Sequence, residues 1–141
     1  MIFPLPEKYR HAITQSFGIP NALYQSGIHN GTDWACPIGT SVVAPCDGEI
    51  IHRYLNHPTM GMCVYFSNGE GMYMRFMHLS EAMVQGKYKQ GDIIGKTGNS
   101  GLSTGSHIHI DAWNCPINTN LIKTKAGVFK YMVDPNTLFV I

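Results

Sequence analysis

The sequence predicts a mainly β domain built from short antiparallel strands with very little helix, and three observations lead there. Fifteen glycines punctuate the chain, most of them at short and fairly even intervals from Gly27 to Gly105. Between them lie brief segments rich in Val, Ile, Tyr and Phe, and β-type runs separated by turn residues read as a compact sheet, sandwich or barrel. The third is composition: 141 residues with 44% hydrophobic and 13% charged side chains suit a single buried core and not a disordered chain. No linker or internal repeat interrupts it, so residues 1–141 are expected to form one domain.

Along the chain, the segment around His29 to Pro37 reads as a loop running into a strand, because Gly31 breaks any helical pattern. Strands are then expected at 41–44, 49–54, 62–67, 72–77, 92–96 and 107–113. The stretch KYKQGDI at 87–93 has the look of a tight hairpin. It leads to a glycine-rich loop, GNSGLSTGS at 98–106. That loop lacks the Lys-Ser/Thr pair of a phosphate-binding loop and opens into a strand, not a helix, so it is read as backbone brought close to a bound peptide. Helical turns are expected only at 78–84 and after Asp134-Pro135, where proline suits a first helical position.

Composition excludes several functions. The formal net charge is +1, from 10 basic and 9 acidic residues, which leaves no electrostatic footprint for nucleic acid. No apolar run approaches the roughly 18 residues of a membrane span. The N-terminus, MIFPLPEKYRH, has no continuous apolar stretch and does not read as a signal peptide. Cys36, Cys46, Cys63 and Cys115 lack metal-knuckle spacing and read as mostly buried free thiols. The methionines clustered between Met60 and Met83 read as adaptable core filler.

Histidine carries the chemistry. HNGTD places His29 and Asp33 four residues apart in a loop that can fold both side chains onto one metal. HIH at 107–109 alternates on a strand, so His107 and His109 share one face while Ile108 and Ile110 turn to the other. For that pair alone, a metal site and a solvent-facing edge weigh about equally. His78, in FMHLS, ends an apolar run. His11, His52 and His57 read as surface or structural. Catalytic zinc sites take three protein ligands from His and Asp/Glu and leave a position for water, whose pKa falls to about 7. A further histidine beside the metal can take the water's proton or hydrogen-bond the developing oxyanion.

Taken together, HNGTDW, FMHLS and HIH resemble the lysostaphin-type zinc metallopeptidases, a family of peptidoglycan endopeptidases. The likeness extends through Pro37-Ile38-Gly39-Thr40, Val42-Val43-Ala44 and Asp47-Gly48-Glu49-Ile50, which match a PxGTxVxAxxDGxV stretch. It continues in Gly91-Asp92-Ile93-Ile94-Gly95, in Gly98 to Gly105, and in Asp134-Pro135, so that coverage runs from about Ile13 onward. The resemblance implies an antiparallel β core with a groove, one Zn2+ held by His29, Asp33 and His109, and His78 and His107 as the unligated pair that activates water and steadies the tetrahedral intermediate. It also implies peptidoglycan peptides as substrate and action on the cell wall outside the cytoplasm.

Two positions depart from the family. Ile19 follows Phe17-Gly18 where an Arg is common, and Phe76 stands where Tyr is common; both are expected to alter the groove lining. Tyr24 is a candidate hydrogen-bond donor to the oxyanion, and Trp34 and Trp113 are expected to pack behind the site. With no signal peptide, the expected setting is a phage lysin, with other virion proteins as partners if it rides on a particle, or a domain excised from a longer chain. The competing reading is a wall-peptide or partner-binding module of the same fold that does not cut. Such modules lose ligands, and here all are present.

Overall fold

A computed structural model describes residues 1–140 of the chain. Ten strands form one continuous antiparallel system: β1 (Ile13–Gln15), β2 (Thr32–Ala35), β3 (Ser41–Val43), β4 (Gly48–His57), β5 (Gly61–Ser67), β6 (Tyr73–Ala82), β7 (Gly86–Tyr88), β8 (Ile93–Thr97), β9 (His107–Trp113) and β10 (Met132–Val133). The main path runs β1-β2-β9-β6-β5-β4-β7; β10 extends the edge of β9, and β3 joins through β8. All six expected strands are present, each with bounds within a few residues of the expectation.

Period-two alternation explains which face is which. Val64 and Phe66 of β5, Met74 and Phe76 of β6, and Ile108, Ile110 and Ala112 of β9 all turn to one side, where they meet Trp34, Val42, Ile50, Leu79 and Ile94 in a single core. Each fully buried side chain of this size contributes about 1.5–3 kcal/mol. Phe3 and Leu5 close the core from the N-terminal segment. Met60, Met74 and Met77 are buried, as filler residues should be, and the four cysteines are unpaired. No helix among the described residues is long and apolar enough to cross a membrane.

β6 changes partner in mid-strand. Tyr73 to Met77 pair with β9, whereas Leu79 to Ala82 pair with β8. The pivot is His78, the single non-glycine with positive φ (63°) among the described residues. The expected helical turn at 78–84 is therefore wrong. Pairing with β8 and the full burial of Leu79 hold an extended chain there, and a seven-residue segment has little capacity to nucleate a helix alone. KYKQGDI also needs correction. Its turn is tight, with the Asp92 amide donating to the Lys89 carbonyl at 2.9 Å, but the flanking strands part company, β7 to β4 and β8 to β3 and β6.

One helix was not expected. α1 (Lys125–Tyr131) starts at Thr124, whose hydroxyl accepts from the Gly127 amide at 3.1 Å. Its Val128 joins Met132 of β10, Trp113, Ile122 and Ile28 in a second, smaller core. The turn after Asp134 is helical as expected, a 3-10 turn over Pro135–Leu138. Asp134 Oδ1 caps it by accepting from the Asn136 amide and also accepts from Thr32 Oγ1 at 2.9 Å, which ties the chain's tail to β2.

Candidate metal centre

β2 lies beside β9 with Asp33 directly opposite His109. Because His107 and His109 stand two apart on a strand, both project to the face away from the core, and Ile108 and Ile110 are fully buried on the other. His29 enters from the loop before β2. That loop is held by the His29 amide donating to the Ile19 carbonyl and the Gly18 amide donating to the His29 carbonyl, both at 2.8 Å. The result brings His29, Asp33 and His109 together, with donor atoms within 4.8 Å of one another. His109 Nδ1 is 2.9 Å and His29 Nε2 3.3 Å from the same oxygen, Asp33 Oδ1.

This convergence requires Gly31. A Cβ there would lie 2.6 Å from His109 Nε2 and 2.5 Å from the Ile110 carbonyl, closer than atoms pack. The glycine read as a helix breaker serves a different end: it lets the first loop press against β9.

Behind each imidazole stands a partner that orients its ring. His29 Nδ1 faces the Ser16 carbonyl at 3.2 Å, which turns Nε2 toward Asp33. His109 Nε2 lies 3.1 Å from Asp111 Oδ2, which turns Nδ1 toward Asp33. Asp111 is fully buried and also accepts from Arg75 Nη2 at 2.8 Å and Trp113 Nε1 at 2.8 Å. Burial alone would raise the Asp111 carboxyl, but the Arg75 guanidinium beside it and the His109 hydrogen bond bring it down to about 2. Burial would push His109 down, yet its two carboxylate neighbours raise it to about 9. Asp33, against its own burial, is held below the usual carboxylate range by His109 and His29. Two imidazoles and one ionised carboxylate, each imidazole backed on its far nitrogen, form a donor set that fits a divalent ion.

His78 and His107 stand beside this triad, with ring centroids 4.9 Å apart. His78 Nδ1 is 2.8 Å from the Ser100 carbonyl and His107 Nδ1 2.8 Å from the Gly105 carbonyl, so both Nε2 atoms are turned away from the glycine-rich loop. His107 Nε2 lies 3.9 Å from Asp33 Oδ2. Burial, outweighing the Ser100 contact, lowers His78 to about 4, which keeps it neutral near pH 7. The glycine-rich loop thus anchors both rings through its backbone.

Tyr24 covers the triad, 5.3 Å from the His29 ring and 6.5 Å from that of His109. Burial and the Asp33 and Asp111 charges raise its hydroxyl, so it stays protonated and able to donate. Trp34 and Trp113 are fully buried, Trp34 in the main core and Trp113 in the smaller one, packed behind the site as expected. Phe76 is a correction: it pairs with Ile110 on the core face and is fully buried, so it does not line a groove. Sequence reasoning also missed Asp111 and Arg75. The signal was available, since Asp111 continues the two-residue period of His107 and His109 on the same strand face.

An antiparallel β domain with a His-Asp-His cluster backed by a buried carboxylate defines the class: a β domain of the lysostaphin-type fold with a candidate metal centre. Residues 27–123 match the model for peptidase family M23, and the chain belongs to that family. The peptidoglycan DD-endopeptidase ShyA of Vibrio cholerae is 36% identical over 115 residues, which are 77% of this chain. The chain spans about a quarter (26%) of that relative's length. A zinc-containing peptidase from Vibrio cholerae superposes with a TM-score of 0.70 at 31% identity, over 82% of this chain and 37% of that one. The catalytic domain of lysostaphin from Staphylococcus simulans shares the fold at a TM-score of 0.75 and 23% identity, covering 96% of this chain and 98% of that domain.

Proposed function

We propose that the protein is a zinc-dependent endopeptidase that hydrolyses peptide bonds of bacterial peptidoglycan outside the cytoplasm. The observation that carries this reading is the meeting of three ligand atoms, His29 Nε2 and His109 Nδ1 converging on Asp33 Oδ1, with two further imidazoles beside them. His29 Nε2, Asp33 and His109 Nδ1 would hold the ion. When bound, zinc supplies a Lewis acid that polarises the scissile carbonyl and acidifies a water.

The chain's own residues then divide the proton work. His78 is neutral and donates Nδ1–H to Ser100, so its Nε2 carries the lone pair and can accept the proton of the attacking water. His107, fixed the same way by Gly105, presents its Nε2 as a second acceptor beside it. Once that nitrogen has taken up a proton released by the attacking water, it can pass the proton toward the leaving amine or hydrogen-bond the oxyanion. Tyr24, close to the His29 and His109 rings, adds a protonated hydroxyl. A site built only to hold a structural ion has no use for two surplus imidazoles oriented by their own backbone carbonyls.

Purified walls of several chemotypes test the reading. Digestion should release peptide-cut muropeptides, identified by mass spectrometry from new amino and carboxyl termini. Intact walls after prolonged incubation with zinc-loaded protein would refute it.

A further inference from the structure

The face of the sheet that carries the metal triad continues well past it. Cross-strand registers run Asp111–Arg75–Tyr65–His52 across β9, β6, β5 and β4, so these side chains leave the sheet on the side that carries His109. Tyr54, two residues after His52, and His57 complete a cluster of rings. The His52–Tyr54, Tyr54–His57, Tyr54–Tyr65 and His52–Tyr65 centroids are 4.5, 5.2, 5.7 and 5.7 Å apart, all edge to face. Tyr54 is 37% exposed. Tyr54 and Tyr65 line a cleft of about 650 Å³ together with Ile117, Asn118 and Thr119. None of the cleft's lining residues carries a formal charge. The peptidase mechanism makes no use of this cluster.

We propose that the His52–Tyr54–His57–Tyr65 cluster is a sugar subsite for an uncharged N-acetylated pyranose of the glycan strand whose peptide enters the metal centre. The proposal rests on the peptidoglycan reading given above. Three strand spacings of about 4.8 Å separate β4 from β9, roughly 14 Å in all. An extended peptide at about 3.4 Å per residue covers that distance in about four residues, the scale of a stem peptide between its sugar and a crosslink. A pyranose has one apolar C–H face and a rim of hydroxyl and acetamide groups. Aromatic rings with polar edges match the face, and the Thr119 hydroxyl and the Asn118 Nδ2 group in the cleft lining, whose Oδ1 is taken by the Asn120 amide, match the rim. Wall peptides carry carboxylates and amines, which call for charged partners, and the cleft lining has none.

Nuclear magnetic resonance on the zinc-loaded protein, with chitotetraose and with a free stem tetrapeptide as separate probes, tests this. Chitotetraose should shift the side-chain resonances of Tyr54, Tyr65 and His52, and the peptide should not. Tyr54→Ala should weaken chitotetraose binding about fivefold, and Tyr54→Phe should largely preserve it. In kinetics, Tyr54→Ala should raise KM about fivefold for a disaccharide-bearing peptide dimer with kcat unchanged, and leave KM for the sugar-free dimer where it was. Rings unmoved by the sugar, or moved instead by the peptide, overturn the proposal, as does an equal KM change for both dimers. Parent protein that cuts neither dimer while the sugar still shifts the rings would sink the peptidase reading and leave the subsite standing.

Discussion

Asp111 Oδ2 sits 3.1 Å from Nε2 of His109, two residues back on the same strand face, and the carboxylate is locked from behind by Arg75 and Trp113. The contact aims the opposite nitrogen of His109 at Asp33. Replacing a carboxylate that orients a ligand histidine commonly lowers metal affinity by about 10–100-fold. Asp111→Asn should show a loss of that size in a chelator competition titration. Unchanged affinity would mean that Asp111 serves packing alone.

Proton release should accompany metal uptake. With two carboxylates as neighbours, His109 is raised to about 9, so the metal-free protein holds a proton on each ring nitrogen at neutral pH. Binding an ion at Nδ1 must expel one of them. Zinc affinity should therefore climb with pH and drop by about tenfold for each unit of acidification below that value. Competition titrations at several pH values between about 6 and 8 check the slope; a flat profile contradicts the assigned ligand atom.

His78 combines an unusual backbone with a functional ring. Alanine at this position would lose the imidazole and also sit at φ 63°, where asparagine is better tolerated. Both His78→Ala and His78→Asn should retain zinc and lose turnover by about 100- to 10,000-fold, with the asparagine variant closer to the parent in thermal stability. His107→Ala should likewise keep the metal. Cleavage by the His78 variants at the parent rate would remove His78 from the mechanism.

Gly31 is the narrowest point of the site. Its replacement by alanine puts a methyl group against His109 and the Ile110 carbonyl, so the first loop must back away from β9. Gly31→Ala should lose zinc and fall by about 1–3 kcal/mol in stability, as overpacking does. Zinc content and denaturant midpoint read the two effects separately.

Much of the site was legible because its residues obey local rules. The two-residue period put His107 and His109 on one face and Ile108 and Ile110 in the core, and the structure agrees. The partners that hold those histidines were not legible, because they depend on pairing between distant strands. Ser100 meets His78 across 22 residues, and Arg75 reaches Asp111 across 36. The segment after His78 misled for the same reason: its local pattern allowed a helical turn, and β8 captured it as strand. α1 was missed because its apolar face is short, although Thr124 offered a capping signal. The ring cluster on β4 and β5 was divided in the sequence between surface histidines and unremarked tyrosines. Only the register between strands assembles it.

The most direct measurement compares zinc content and wall cleavage in the parent, Asp33→Ala and His78→Asn. Asp33 is the residue on which both ligand imidazoles converge, whereas His78 stands beside the ion without holding it. The parent should carry one zinc per chain and cut peptidoglycan peptides, Asp33→Ala should carry none, and His78→Asn should carry one and fail to cut. Full zinc and undiminished cleavage in Asp33→Ala would contradict the account.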